Sequence, residues 1–266
     1  MKLEQLMEGV PFTLVQGSME TEVTDIIYDS RKAAPGLAFV CIVGTQRDSH
    51  EFAADCAAKG VSVLVIQHDI DLSAVPEATV VKVESSRYAM ALMSCNLFGN
   101  PAKQMTMIGV TGTKGKTTTS YMIQAVTNAL AGRTMGLSSS AGRYCGGPDV
   151  DTHLTTPESL DLQWLFAQAR DHGLPYMTAE VSSQAYQVER VYGEHFAEYL
   201  IHFVRIARLV GLCGTQHLII GHLLPCGIGR FLVTAVTRFE FHNVLVNLHT
   251  VLVVARSRIA LGQEEG

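Results

Sequence analysis

Lys116 and Thr117 directly follow Gly115 within the stretch GVTGTKGKTTT, Gly109 to Thr119. A lysine and a hydroxyl residue placed after a glycine turn suit the holding of a phosphate: the amine neutralises terminal phosphate oxygens and the hydroxyl ligates Mg²⁺. Before the turn, MTMIGV is a short apolar run suited to a buried parallel strand. After it, KTTTSYMIQAVTNALAG carries helical periodicity up to Gly132. A strand that turns through glycines into a helix start aims backbone N–H groups and the positive end of the helix dipole at one point. The spacing is a variant of G-x4-G-K-[ST], because Val110 stands five positions before Gly115 and the glycines fall at Gly109, Gly112 and Gly115. Gly112, Thr113, Lys114, Gly115, Lys116, Thr117 and Thr118 therefore form a phosphate-binding candidate. The alternatives are a first-turn helix role for Thr118 and Thr119 and a plain exposed loop position for Lys114.

The elements that must carry this loop are of the α/β kind. With 266 residues, 47% of them hydrophobic, the chain has room for two domains with real cores. In the first hundred residues TDIIYDS, LAFVCIVG, VSVLVIQ and ATVVKVE read as strands. SHEFAADCAAKG reads as a helix capped by Ser49 and stopped by Gly60, and Ser86 to Phe98 as another. Gly99, Asn100 and Pro101 break the chain there, which places a domain boundary near residue 100. Beyond the loop, TTPESLDLQWLFAQARDHG reads as a helix capped near Thr156 or Ser159 with Pro157 in its first turn, and PYMTAEV as the next buried strand.

A net charge of −5 gives no basic footprint for nucleic acid or for an anionic membrane surface. The start, MKLEQLMEGVPFTLVQ, lacks a secretory pattern, so a cytoplasmic location is expected. Six scattered cysteines without a CxxC fit reduced, buried thiols.

The loop resembles the ATP loop of the Mur ligases, which share a TGTxGKTT pattern. Three further segments are similar to that family in the same order. YDSRKAAPGLAFVCIVGTQRDSHEF resembles its uridine-nucleotide-binding N-terminal domain, LTTPESL its muramoyl-substrate loop, and AEVSSQAYQVERVYG the segment after the next strand. Together they resemble the UDP-N-acetylmuramoyl-tripeptide synthetases over about residues 20 to 197. The resemblance implies an N-terminal α/β uridine-nucleotide-binding domain (1–100) and an incomplete P-loop α/β domain (101–197). It also implies ATP and Mg²⁺ as cofactors, and UDP-MurNAc-L-Ala-D-Glu and a diamino acid as substrates. ATP would convert the D-glutamate carboxylate into an acyl phosphate, which the amine of the diamino acid attacks to form an amide.

Carried over residue by residue, the resemblance gives Lys116 and Glu180 catalytic roles and makes Thr117 and Glu180 Mg²⁺ ligands. Tyr28 and Ser30 would contact the uridine end, and Thr45, Gln46 and Arg47 the phosphate or sugar region. Thr155, Thr156, Ser182 and Arg190 would hold the muramoyl-peptide part. Each has a bland alternative: an Asx-type turn at Asp29–Ser30, a helix cap at Thr156, a surface charge at Arg190, a strand-end carboxylate at Glu180. His50 stands in DSH where the family has D-G-H, and reads as structural.

After about Phe196 the resemblance stops. The family's next strand, its acidic-histidine metal motif, its carbamylated lysine and its third domain are not recognisable, and the last lysine is Lys116. Residues 198–266 hold five of the ten histidines and neither Asp nor Lys. This break has the form a change of reading frame would give, and loose packing of the tail is expected. A membrane segment (Leu209 to Gly229) and a zinc site (Cys213, His217, His222, Cys226) are the weaker alternatives, because glycines, Pro225 and an unfamiliar ligand spacing count against them. Ligation would then be slow or absent while binding survives, so a binding-only chain is the rival reading.

Overall fold

A computed structural model describes residues 1–44, 47–131, 134–147 and 154–193, together with the backbone of strands 198–204, 216–222 and 232–239. Helix α1 (Leu3–Leu6) and strand β1 (Thr13–Gln16) precede β2 (Asp25–Ile27), β3 (Leu37–Val40), α2 (Ala53–Ala58), β4 (Val63–Ile66), β5 (Thr79–Lys82) and α3 (Ser86–Leu97). The sheet runs β1-β5-β4-β3-β2, with β1 antiparallel to β5 and the other pairs parallel. Its central strands are buried on both faces, and their period of two divides the core. Ala38, Val40, Val63 and Val65 pack with Met90 and Met93 of α3, whereas Phe39, Leu64 and Ile66 pack with Ala53 and Cys56 of α2.

Two helix starts differ from the sequence pattern. Residues Ser49–Phe52 form a 3₁₀ turn, and α2 begins only at Ala53. The cap is Asp48 in place of Ser49, because the Asp48 carboxylate accepts the His50 N–H at 3.0 Å. Helix α3 agrees with expectation: Ser85 caps it by accepting the Tyr88 N–H, and Gly99 (φ 70°) and Asn100 (φ 53°) end it.

The second unit comprises β6 (Thr106–Gly112), α4 (Lys116–Ala131), β7 (Gly136–Ser138), β8 (Arg143–Tyr144), α5 (Ser159–Asp171), β9 (Tyr176–Glu180) and α6 (Ser183–Gln187). Strands β10 (Glu198–Val204), β11 (Gln216–His222) and β12 (Leu232–Phe239) follow. The sheet order is β12-β11-β10-β6-β9-β7-β8, with β10, β6, β9 and β7 parallel. The strand that the sequence did not reveal after Phe196 is thus present as β10, directly beside the loop-bearing β6. Leu162, Leu165, Phe166 and Ala169 form one face of α5 and pack on Met107, Met177 and Ala179.

Helix α5 begins at Ser159 with Glu158 at its N-cap and no side-chain cap bond. The expected cap, Thr156, is engaged elsewhere. Its hydroxyl donates to the Glu180 carbonyl (2.8 Å) and accepts the Ser182 N–H (3.0 Å).

The two units meet along a seam between α3 and α5. The Tyr28 hydroxyl donates to Asp161 (2.6 Å), Arg87 pairs with Glu158 (3.0 Å), Ser85 donates to Glu189 (2.5 Å), and Arg170 donates to the Phe98 carbonyl (2.7 Å). Leu160 packs against the first unit's core. Cys41, Cys56, Cys95 and Cys145 are free and buried, as expected. Among the described residues no helix is long and apolar enough to cross a membrane. Cys213 and Cys226 lie outside the described residues, as does Gly132.

Candidate functional site

The glycine loop leaves β6 at Gly112 (φ 147°), turns at Gly115 (φ 79°) and enters α4 at Lys116. A positive φ at both glycines is the reason the turn can be this tight, since a side chain would strain each. Lys116 folds back over the loop and donates from Nζ to the Gly112 carbonyl at 2.9 Å. Thr113, Lys114 and Thr118 are exposed around it.

Parallel pairing places Val110 of β6 opposite Glu180 of β9, so the loop and Glu180 emerge at the same carboxyl-terminal edge of the sheet. Ligands of open α/β sheets bind at that edge. Glu180 is 1% exposed, and its carboxylate accepts the Ser140 N–H at 3.1 Å. The Ser140 hydroxyl lies 2.8 Å from the Thr117 hydroxyl. One residue therefore links the two expected metal ligands. A hydroxyl and a carboxylate are hard oxygen donors, the set that Mg²⁺ prefers, so these residues fit the ion.

The same carboxylate strand leads to a second cluster. Thr156, 1% exposed, bridges the Glu180 carbonyl and the Ser182 backbone, while the Ser182 hydroxyl caps α6 through the Ala185 N–H. Arg190 is buried, not a surface charge. It donates to the Thr156 carbonyl (3.3 Å) and to Glu158 (2.7 Å). Thr155 is half-buried beside them, in a loop tied down by Arg143, which donates to the Leu154 carbonyl at 2.9 Å. Thr156, Ser182, Arg190 and Glu180 thus form one continuous site with Lys116 and Thr117.

The uridine candidates lie in the first unit. Tyr28 reaches across the seam to Asp161, and burial followed by that hydrogen bond pushes its phenol well above the usual range. Ser30 opens a 3₁₀ turn that Asp29 caps. Arg47 is exposed and closes a turn by accepting the Gly44 N–H at its carbonyl. Thr45 and Gln46 lie outside the described residues. Sequence reasoning missed Ser140, Glu158 and Asp161. Glu158 stands inside the TTPES motif and could have been found there, whereas Ser140 sits in a run of serines with no local signal.

His50 is structural, as read from the sequence. Its Nε2 accepts the Gln67 N–H (2.8 Å), so Nδ1 carries the proton and donates to Asp48 (2.5 Å). Asp48 also meets His68 Nε2 at 2.6 Å, and the two imidazoles stack 3.7 Å apart. Their ligating atoms lie within 4.8 Å of one another, yet a protonated Nδ1 is unable to ligate a metal. Burial lowers the His50 pKa despite Asp48, whereas the hydrogen bond to Asp48, followed by that to the Asp69 carbonyl, raises that of His68. A raised histidine pKa contributes stability that is complete below the unfolded value, about 6.5, and is lost as pH rises through the folded value. Unfolding measured against pH should show this loss above about pH 6.5 in the native chain, and His68→Ala should abolish it. An unchanged slope in His68→Ala would place the titration elsewhere.

Residues 110–201 match the Mur ligase middle domain. The chain is 40% identical over 198 residues to a UDP-N-acetylmuramoyl-L-alanyl-D-glutamate–2,6-diaminopimelate ligase of Clostridium perfringens (strain 13 / Type A), covering 74% of this chain and 40% of that protein. The protein of the same description from Clostridium botulinum (strain ATCC 19397 / Type A) is 40% identical over 199 residues, 74% of this chain and 41% of its own. The chain thus spans about 40% of the length of these relatives. A solved structure of a UDP-N-acetylmuramoyl-L-alanyl-D-glutamate–2,6-diaminopimelate ligase shares the fold, with a TM-score of 0.62 and 18% identity over 80% of this chain and 42% of that one.

Proposed function

We propose, from the homology of this chain to the Mur ligases over about three quarters of its length, that it carries the substrate- and nucleotide-binding parts of an ATP-dependent amide-forming ligase of peptidoglycan precursor synthesis, acting in the cytoplasm. The observation that carries this reading is the run of contacts from Thr117 through Ser140 to Glu180 and on through Thr156 to Arg190. It joins a phosphate loop to a buried guanidinium suited to a carboxylate or phosphate. Residues 1–100 form the uridine-nucleotide unit and 101–197 the nucleotide-phosphate unit, with 198–266 a tail beyond the family resemblance.

In this reading Lys116 and the loop N–H groups hold the terminal phosphates of ATP, and Thr117 and Glu180 hold Mg²⁺. Bound ATP supplies the phosphoryl group that makes the D-glutamate carboxylate reactive towards a diamino acid. Arg190, Thr155, Thr156 and Ser182 hold and orient UDP-MurNAc-L-Ala-D-Glu, and Tyr28, Ser30, Thr45, Gln46 and Arg47 its nucleotide end. Clamping both anions with cations suppresses their repulsion.

The absence of any lysine after Lys116 favours a second reading, in which the chain binds both ligands and joins nothing. Phosphate release from ATP is the test. Release that requires both UDP-MurNAc-L-Ala-D-Glu and a diamino acid is the ligase outcome, and binding of ATP and the muramoyl peptide without amide product is the binding-only outcome. ATP hydrolysis indifferent to the muramoyl peptide would overturn both.

A further inference from the structure

Glu158 occupies the N-cap of α5 but makes no side-chain cap bond there. Its carboxylate, with the side chain 14% exposed, instead lies between two guanidiniums. Oε1 accepts from Arg190 at 2.7 Å and Oε2 from Arg87 at 3.0 Å. Arg87 belongs to α3 in the first unit, so one carboxylate joins the buried arginine of the second unit to the opposite side of the seam. Within this triad two positive groups share one negative group, which leaves Arg190 suited to a further anion.

The backbone before Arg190 is held from the same side. Glu189 sits at φ 58°, a conformation that costs a non-glycine residue energy, and its carboxylate accepts the Ser85 hydroxyl at the head of α3. Arg190 Nε is buried without an acceptor among the described residues, and a donor in that position is costly unless something accepts from it.

We propose that Glu158 is a positioning residue: through Arg87 it ties the Arg190 guanidinium to the first unit, so that Arg190 meets an anionic group of the uridine-muramoyl peptide only while α3 and α5 are docked. This rests on the substrate reading above for its ligand, but the coupling itself does not. The full chain with ¹⁵N-labelled arginine tests it, the Arg190 Nε–H resonance being assigned by its loss in Arg190→Lys.

Arg87→Gln should shift that resonance and speed its exchange with water by about tenfold, although the Arg87 contact is with Glu158. Glu158→Gln should do the same, and the double variant no more. In parallel, each single variant should weaken UDP-MurNAc-L-Ala-D-Glu binding by about tenfold, as loss of a charged hydrogen bond implies, and leave UDP binding unchanged. Arg87→Lys, which keeps the charge, should retain most of the affinity. A folded Arg87→Gln variant with the native Arg190 resonance overturns the proposal, as does additivity of the two substitutions. Failure of the native chain to bind the muramoyl peptide would instead sink the substrate reading, with the resonance still deciding the bridge.

Discussion

Lys116→Ala should lower the affinity of the chain for ATP on the order of a hundredfold, about 3 kcal/mol. The lysine contributes the one ammonium that the loop directs along its own backbone, through the bond from Nζ to the Gly112 carbonyl. In the free protein that bond is replaceable by water, so folding should change little. With nucleotide bound, the charge opposes terminal phosphates in a partly buried site, where its removal leaves anionic oxygens unpaired. Titration calorimetry with ATP in the presence and absence of Mg²⁺ measures the effect. Glu180→Gln provides the contrast: it should remove most of the Mg²⁺ dependence while leaving metal-free binding intact. Native affinity in Lys116→Ala would mean that the loop is not the nucleotide site.

The second large effect concerns folding. Phe166→Ala should destabilise the chain by about 3–5 kcal/mol. Phe166 is fully buried and belongs to the α5 face that packs on β6 and β9, the two strands that carry the phosphate loop and Glu180. The cost combines lost transfer energy with the cavity left in a close-packed interior. Against a typical domain stability of about 5–15 kcal/mol, it would leave the site only marginally assembled. Urea unfolding gives the value. Phe12→Ala, at a side chain 37% exposed, should stay within about 0.5 kcal/mol of the native chain. A loss below about 1 kcal/mol at Phe166 would show that α5 does not pack as described.

Much of the fold was legible because it is written in local patterns. TDIIYDS, LAFVCIVG, VSVLVIQ and ATVVKVE each became a strand, and the break at Gly99–Asn100–Pro101 separates the two sheets. Both follow from steric and burial preferences of residues a few positions apart. The helix starts were less legible, because a hydroxyl or carboxylate chooses among partners that sequence proximity does not rank. Ser49 and Thr156 both have the chemistry of a cap. Asp48 took the first position, and a tertiary contact with the Glu180 carbonyl took the second hydroxyl away. The strand after Phe196 was hidden by an altered composition, and its place beside β6 is a matter of pairing between segments about ninety residues apart.

By itself the sequence determined the α/β class, the strand–loop–helix order and the residues Lys116 and Thr117 at the loop, because glycine conformation and helix polarity act within a few residues. The tertiary structure alone decided that Ser140 lies between Thr117 and Glu180. It also decided that Tyr28 meets Asp161 from 133 residues away and that Arg190 is buried against Glu158 and Arg87. The physical reason is that a side chain's charge and hydrogen-bonding capacity are fixed by its type. Which partner satisfies them depends on what the packing of α3 against α5, and of β6 beside β9, brings within about 3 Å.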